Sequence, residues 1–88
     1  MVEKNSKEYE AVVYVGLKEG VLDPQGLTIK RALKDMGYNG IEEVKAGKFF
    51  QIKLKSNNKK MAEEKVDEIC CKLLTNPVIE KYSFKVEK

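Results

Sequence analysis

The chain has 88 residues, 17 basic and 14 acidic, a net charge of +3 and no histidine. That length builds one small domain and excludes two cores. The charges are spread along the chain, too mild and mixed to point to nucleic acid, and no run approaches the ~18 apolar residues of a membrane span.

Residues 1–8 are polar and charged, without the apolar centre of a secretory signal, so a cytoplasmic protein is expected. They should form a frayed extension to a single domain over 9–88. The first strand is predicted over Tyr9–Leu17, rich in Val and Tyr, with Tyr9, Ala11, Val13, Val15 and Leu17 facing the core. Its other face holds Glu10, Val12, Tyr14 and Gly16. A loop leads to Asp23 as helix cap and Pro24 at the first helical position, where its missing N–H costs nothing. Gly26 in that first turn is unfavourable for helix and implies close approach by backbone or by another chain.

The first helix is predicted over Pro24–Met36, with Ile29, Ala32, Leu33 and Met36 as its apolar stripe. Gly37 should follow as C′, with Tyr38 folding back toward Leu33 in a Schellman cap. A weaker strand is predicted over Ile41–Ala46, then a tight turn at Gly47-Lys48. The third strand covers Lys48–Lys55, with Phe50, Ile52 and Leu54 inward. Ser56, Asn57 and Asn58 offer caps for a second helix over Lys59–Thr75, burying Ala62, Val66, Ile69, Cys70 and Leu73. Lys60–Glu64 and Glu68–Lys72 are favourable i,i+4 pairs. Asn76-Pro77 stops the helix, and the last strand runs Ile79–Val86 with Tyr82, Phe84 and Val86 on one side.

The order βαββαβ predicts an α+β two-layer sandwich, related to the ferredoxin-like arrangement, with an antiparallel sheet and both helices on one face. Neighbouring Cα atoms lie about 3.8 Å apart, too close for a regular disulfide, so Cys70 and Cys71 should be reduced thiols. Without histidine, a CxxC pair or a Gly-rich phosphate loop, catalytic chemistry is not expected here. Three features exceed background. Asp23-Pro24-Gln25-Gly26 is either a well-formed cap or a docking loop, and Gly47-Lys48-Phe49 either plain turn chemistry or a contact tip. The third is the outer sheet face, where Val12, Tyr14 and Phe49 stand in place of polar residues, pointing to burial against a subunit or ligand.

The chain resembles the PurS family, the small subunits of bacterial and archaeal phosphoribosylformylglycinamidine synthase. The likeness is carried by Tyr9, Val13-Tyr14-Val15, Leu17-Lys18 and Val21-Leu22-Asp23-Pro24-Gln25-Gly26. It continues through Ala32-Leu33, Gly47-Lys48, Cys71-Lys72-Leu73-Leu74, Asn76-Pro77-Val78-Ile79-Glu80 and Tyr82. It implies a non-catalytic subunit that joins a glutaminase to a large ATP-dependent synthetase. That complex turns formylglycinamide ribonucleotide into formylglycinamidine ribonucleotide in purine biosynthesis. The resemblance further implies no cofactor in this subunit, ATP and magnesium in the large one, and a homodimer or homotetramer.

On physical grounds Val12, Tyr14 and Phe49 are expected between like subunits, the sheet being the oligomerising surface. Asp23, Pro24, Gln25 and Gly26 are expected to shape a loop against a larger partner, with Lys18 and Lys48 as rim charges. Two rival readings share the chain order. One is an RNA-binding module, for which Val13–Leu17 imitates the first aromatic motif but Ala46–Phe49 supplies only one outward aromatic. The other is a small-molecule regulatory domain.

Overall fold

The computed structural model describes residues 6–88. Strand β1 (Lys7–Leu17) is central in a three-stranded antiparallel sheet, between β2 (Gly47–Ser56) and β3 (Glu80–Glu87). Helix α1 (Pro24–Asp35) follows β1, and α2 (Lys59–Ile69) follows β2 and continues as a π-helical turn over Cys70–Leu74. The α+β class and the antiparallel sheet are as the sequence predicts. Fraying was expected through Glu8, yet Lys7 and Glu8 already pair with Ser56 and Lys55. The remainder of that extension, 1–5, lies outside the described residues.

The core follows from β1's alternation. Tyr9, Ala11, Val13 and Val15 are buried on the face that meets Ala62 and Val66 of α2, Cys70 of the π turn and Val86 of β3. Phe50, Ile52, Leu54, Leu74, Tyr82 and Phe84 pack around them, only partly buried. Asn58 caps α2 by accepting from the Met61 N–H at 2.8 Å. Glu68 and Lys72 pair at 2.6 Å, whereas Lys60–Glu64 is not among the ion pairs of the described residues.

Two expectations fail in the middle of the chain. Ile41–Ala46 joins no strand, because the Ala46 N–H is taken by the Asp23 carboxylate at 2.8 Å. Gly47-Lys48 is not a turn but the start of β2, opposite Gly16 and Val15. A Cβ at Gly47 would sit 2.7 Å from the Val15 carbonyl oxygen, so glycine answers a close strand approach there.

The larger departure is α1. Its ends form as predicted: Pro24 opens the helix, and Gly37 (φ +94°) closes a Schellman cap in which Tyr38 N–H bonds Leu33 and Gly37 N–H bonds Lys34, both at 3.0 Å. Yet α1 does not lie on the sheet beside α2; among the described residues α2 and its π turn cover that face. Of its stripe, Leu33 is half-buried, while Ile29, Ala32 and Met36 are exposed. The helix stands out as an arm on a body measuring 57 × 26 × 14 Å. The radius of gyration is 17.4 Å, against about 12 Å for a compact domain of this length.

Candidate subunit-contact surfaces

Three surfaces collect the singled-out residues. On the outer sheet face, register sets Tyr14 opposite Phe49 on β2 and Ser83 on β3. The two rings lie 5.2 Å apart at 49°, each more than half exposed, while Val12 beside them is half-buried between Gln51 and Lys85. Nothing among the described residues covers this pair, so two aromatic side chains stay in water on a face otherwise studded with Lys53, Lys81 and Lys85.

The second surface is the root of the arm. Asp23 accepts from the Gly26 N–H at 3.0 Å and from the Ala46 N–H at 2.8 Å, binding the helix start to the returning chain. These two donors, Ala46 first, hold its carboxyl below the usual carboxylate range. Gly26 is buried because a Cβ there would lie 2.2 Å from the Val44 carbonyl oxygen. The close approach implied by the sequence is thus made by the chain's own backbone. Asp23 and Gly26 serve this internal clasp, and Pro24 and Gln25 are exposed beside it. A groove of about 320 Å³ opens here, walled by Leu17, Val21, Leu22, Leu27 and Val44. Lys45 lies 2.9 Å from Glu19 and 3.4 Å from Glu43, exposed pairs that water and salt screen.

Lys18 lines this groove as well, whereas Lys48 lies outside its lining. Lys18 Nζ donates to the Pro77 carbonyl at 2.5 Å, and Lys48 Nζ lies 3.7 Å from Glu80. Both lysines also reach a third surface, the turn over residues 76–80. The sequence showed that turn only as a helix stop at Asn76-Pro77. Its available signal was Asn76 with Glu80 four positions later, two side chains able to cap the N–H groups between them.

Tyr82 ties β3 to α2: its hydroxyl donates to Asp67 at 2.5 Å and lies 2.9 Å from the Cys71 sulfur. The Asp67 carboxylate keeps that hydroxyl protonated well above the ordinary phenol range. Cys70 and Cys71 are both free; Cys70 is buried in the core, which raises its thiol pKa, and Cys71 is exposed. Among the described residues no three His, Cys, Asp or Glu side chains gather where they could hold a metal ion, and no helix is long and apolar enough to cross a membrane.

Comparison with known proteins adds identity to this geometry. The sequence model of the family described as PurS, phosphoribosylformylglycinamidine (FGAM) synthase, matches residues 10–88. The phosphoribosylformylglycinamidine synthase subunit PurS of Methanocaldococcus jannaschii is 48% identical over 80 residues, 91% of this chain and 96% of that protein. Its crystal structure superposes with a TM-score of 0.81. The Bacillus subtilis subunit is 42% identical over 80 residues, 91% of this chain and 94% of its own length. A chain in a structure described as PurLQS from Thermotoga maritima is 30% identical, covers 92% of this chain and 99% of itself, and gives a TM-score of 0.85.

Proposed function

This chain belongs to the PurS family of phosphoribosylformylglycinamidine synthase subunits, and on that premise we propose that it works by contact. It holds a glutaminase subunit against a large synthetase subunit so that ammonia freed from glutamine reaches formylglycinamide ribonucleotide. Catalysis, with ATP and magnesium, resides in those two partners, and the assembly is cytoplasmic.

The observation that carries this reading is the uncovered arm. The chain exposes 6992 Å², whereas a compact 10.0 kDa protein exposes about 5,200 Å². Two copies that each covered the excess would bury about 3,500 Å² together, within the range of obligate homodimers. Complementarity supports a second copy as the cover. The arm offers Leu27, Ile29 and Met36 without a sheet beneath them, and the inner sheet face offers Phe50, Ile52 and Phe84 with only α2 above. Among the described residues the outer edge of β2 is open as well, and the 41–45 segment of a partner copy, which joins no strand in its own chain, would supply a fourth. The Val12, Tyr14 and Phe49 face supplies a separate contact between like subunits, through which dimers pair into tetramers.

The test is reconstitution with the glutaminase and synthetase subunits of the same genome. Glutamine-dependent amidation should need all three chains, while amidation from added ammonia should proceed without this one. Equal glutamine-dependent turnover in its absence would remove the proposal.

A further inference from the structure

The open edge of β2 and the unused 41–45 segment differ in charge: β2 carries Lys48, Lys53 and Lys55 and no acid, while 41–45 carries Glu42, Glu43 and Lys45. The segment already alternates as a strand does, with Val44 and Ala46 half-buried and Glu43 and Lys45 exposed. The same parity continues in β2, where Phe50, Ile52 and Leu54 are half-buried and Phe49, Gln51, Lys53 and Lys55 exposed. No turn separates the two stretches, so Glu43 shares the outer face with Lys53 and Lys55. Among the described residues, no backbone hydrogen bond uses the N–H or carbonyl groups of Ile41, Glu43 or Lys45.

Neither side chain is satisfied within the chain. Glu43 lies 3.4 Å from Lys45, which is itself 2.9 Å from Glu19, so one ammonium serves two carboxylates. Lys53 stands opposite Glu10 of β1, which in turn stands opposite Glu87 of β3. Yet no carboxylate of the described residues comes within 4.0 Å of the Lys53 ammonium. On its other side Lys53 meets the open edge of the sheet.

A two-fold interface is self-complementary, each copy offering the other the same surface. A strand paired with its own copy across a two-fold axis runs antiparallel, and residues opposite one another share a face. On the outer face Glu43 therefore stands opposite Gln51, Lys53 or Lys55 of the other copy. In the second register Lys53 is directly across, and in the first and third it is the diagonal neighbour, within reach of a long side chain. A slip by one residue would turn Glu43 to the apolar inner face. The contact is made twice in each dimer, because one chain holds both the free strand and the edge that takes it.

We propose that Glu43 of one copy pairs with Lys53 of a second copy, and that this pair selects the strand the open edge of β2 accepts. It presupposes the second-copy cover and names the side chains that direct it. The test is charge exchange in the full chain, read by sedimentation equilibrium over a dilution series at low salt. Glu43→Lys and Lys53→Glu each set like charges across both contacts, and each should weaken self-association by about tenfold or more. An equimolar mixture of these two variants should associate within about threefold of wild type, since both contacts of the mixed dimer again join opposite charges. High salt should narrow the gap between each variant and wild type. Glu43→Gln and Lys53→Gln add no repulsion and should weaken association by about threefold, a measurement that stands should a reversed charge unfold the chain. Reversed variants within about twofold of wild type, or a mixture no tighter than either variant alone, would overturn the pair while leaving the second-copy cover standing. A wild-type chain that stays at 10.0 kDa throughout would remove both.

Discussion

Replacing Gly26 with alanine pits two effects of opposite sign against each other. Alanine in a helix is favoured over glycine by about 1 kcal/mol, so propensity alone says the variant is more stable. The structure says otherwise, because the new Cβ would lie 2.2 Å from the Val44 carbonyl oxygen and 2.7 Å from Asp23 Oδ2. Backbone on one side and a doubly hydrogen-bonded carboxylate on the other cannot both stay. Forcing a methyl group into a filled site costs about 1–3 kcal/mol. If the helix start shifts to relieve the contact, the Asp23 cap is lost at about 0.5–2 kcal/mol. Both costs together, less the propensity gain, give a net destabilisation of about 0.5–4 kcal/mol, or a fall of about 4–8 °C in Tm per kcal/mol for a domain this size. Urea unfolding at one fixed protein concentration is the assay, since subunit association adds stability by mass action. Gln25→Ala, at an exposed neighbouring position, should stay within about 0.5 kcal/mol of wild type. A Gly26→Ala protein as stable as wild type, or more so, would refute the clasp between α1 and the 44–46 backbone.

Tyr14→Asp should lower the order of the oligomer while far-ultraviolet dichroism stays native, because the ring is 56% exposed and outside the core; an unchanged sedimentation coefficient would dismiss the outer face as a contact. The Asp23 carboxyl is held low by the N–H groups of Ala46 and Gly26, so its stabilisation is present above the unfolded pKa near 3.9 and is lost as pH falls through the depressed folded value. The stability gap between wild type and Asp23→Asn should therefore be constant from pH 7 to about 5 and shrink below about pH 4; a gap independent of pH would deny the carboxylate that role. Tyr82 should ionise above the ordinary phenol range in an alkaline titration followed by ultraviolet absorbance, and Tyr82→Phe should delete that late step. A late step that survives the substitution belongs to another ring.

Local chemistry was legible and partnership was not. Asp23, Pro24, Gly37 and Tyr38 announce the ends of α1 because caps depend on residues a few positions apart. The alternation of Tyr9, Ala11, Val13 and Val15 likewise sets the inner face of β1 without help from the rest of the chain. The stripe of Ile29, Leu33 and Met36 says only that α1 seeks apolar cover, not whose sheet provides it. A βαββαβ order then invited the assumption of an intrachain cover. Ile41–Ala46 was misjudged for a related reason: its ladder donor at Ala46 is diverted by a carboxylate 23 residues earlier. Lys18 and Lys48 were singled out as charges beside the loop, but the contacts they make elsewhere were not legible. Their contacts with Pro77 and Glu80 join residues far apart in sequence, beyond the reach of any short motif.

The most direct test of an arm meant to be covered is the mass of the purified full-length chain by sedimentation equilibrium at micromolar concentration. The expected result is at least twice 10.0 kDa, shifting toward the single-chain mass when Ile29 is changed to aspartate. A wild-type chain that stays at 10.0 kDa as concentration rises, with the stripe of α1 open to water, would contradict the account.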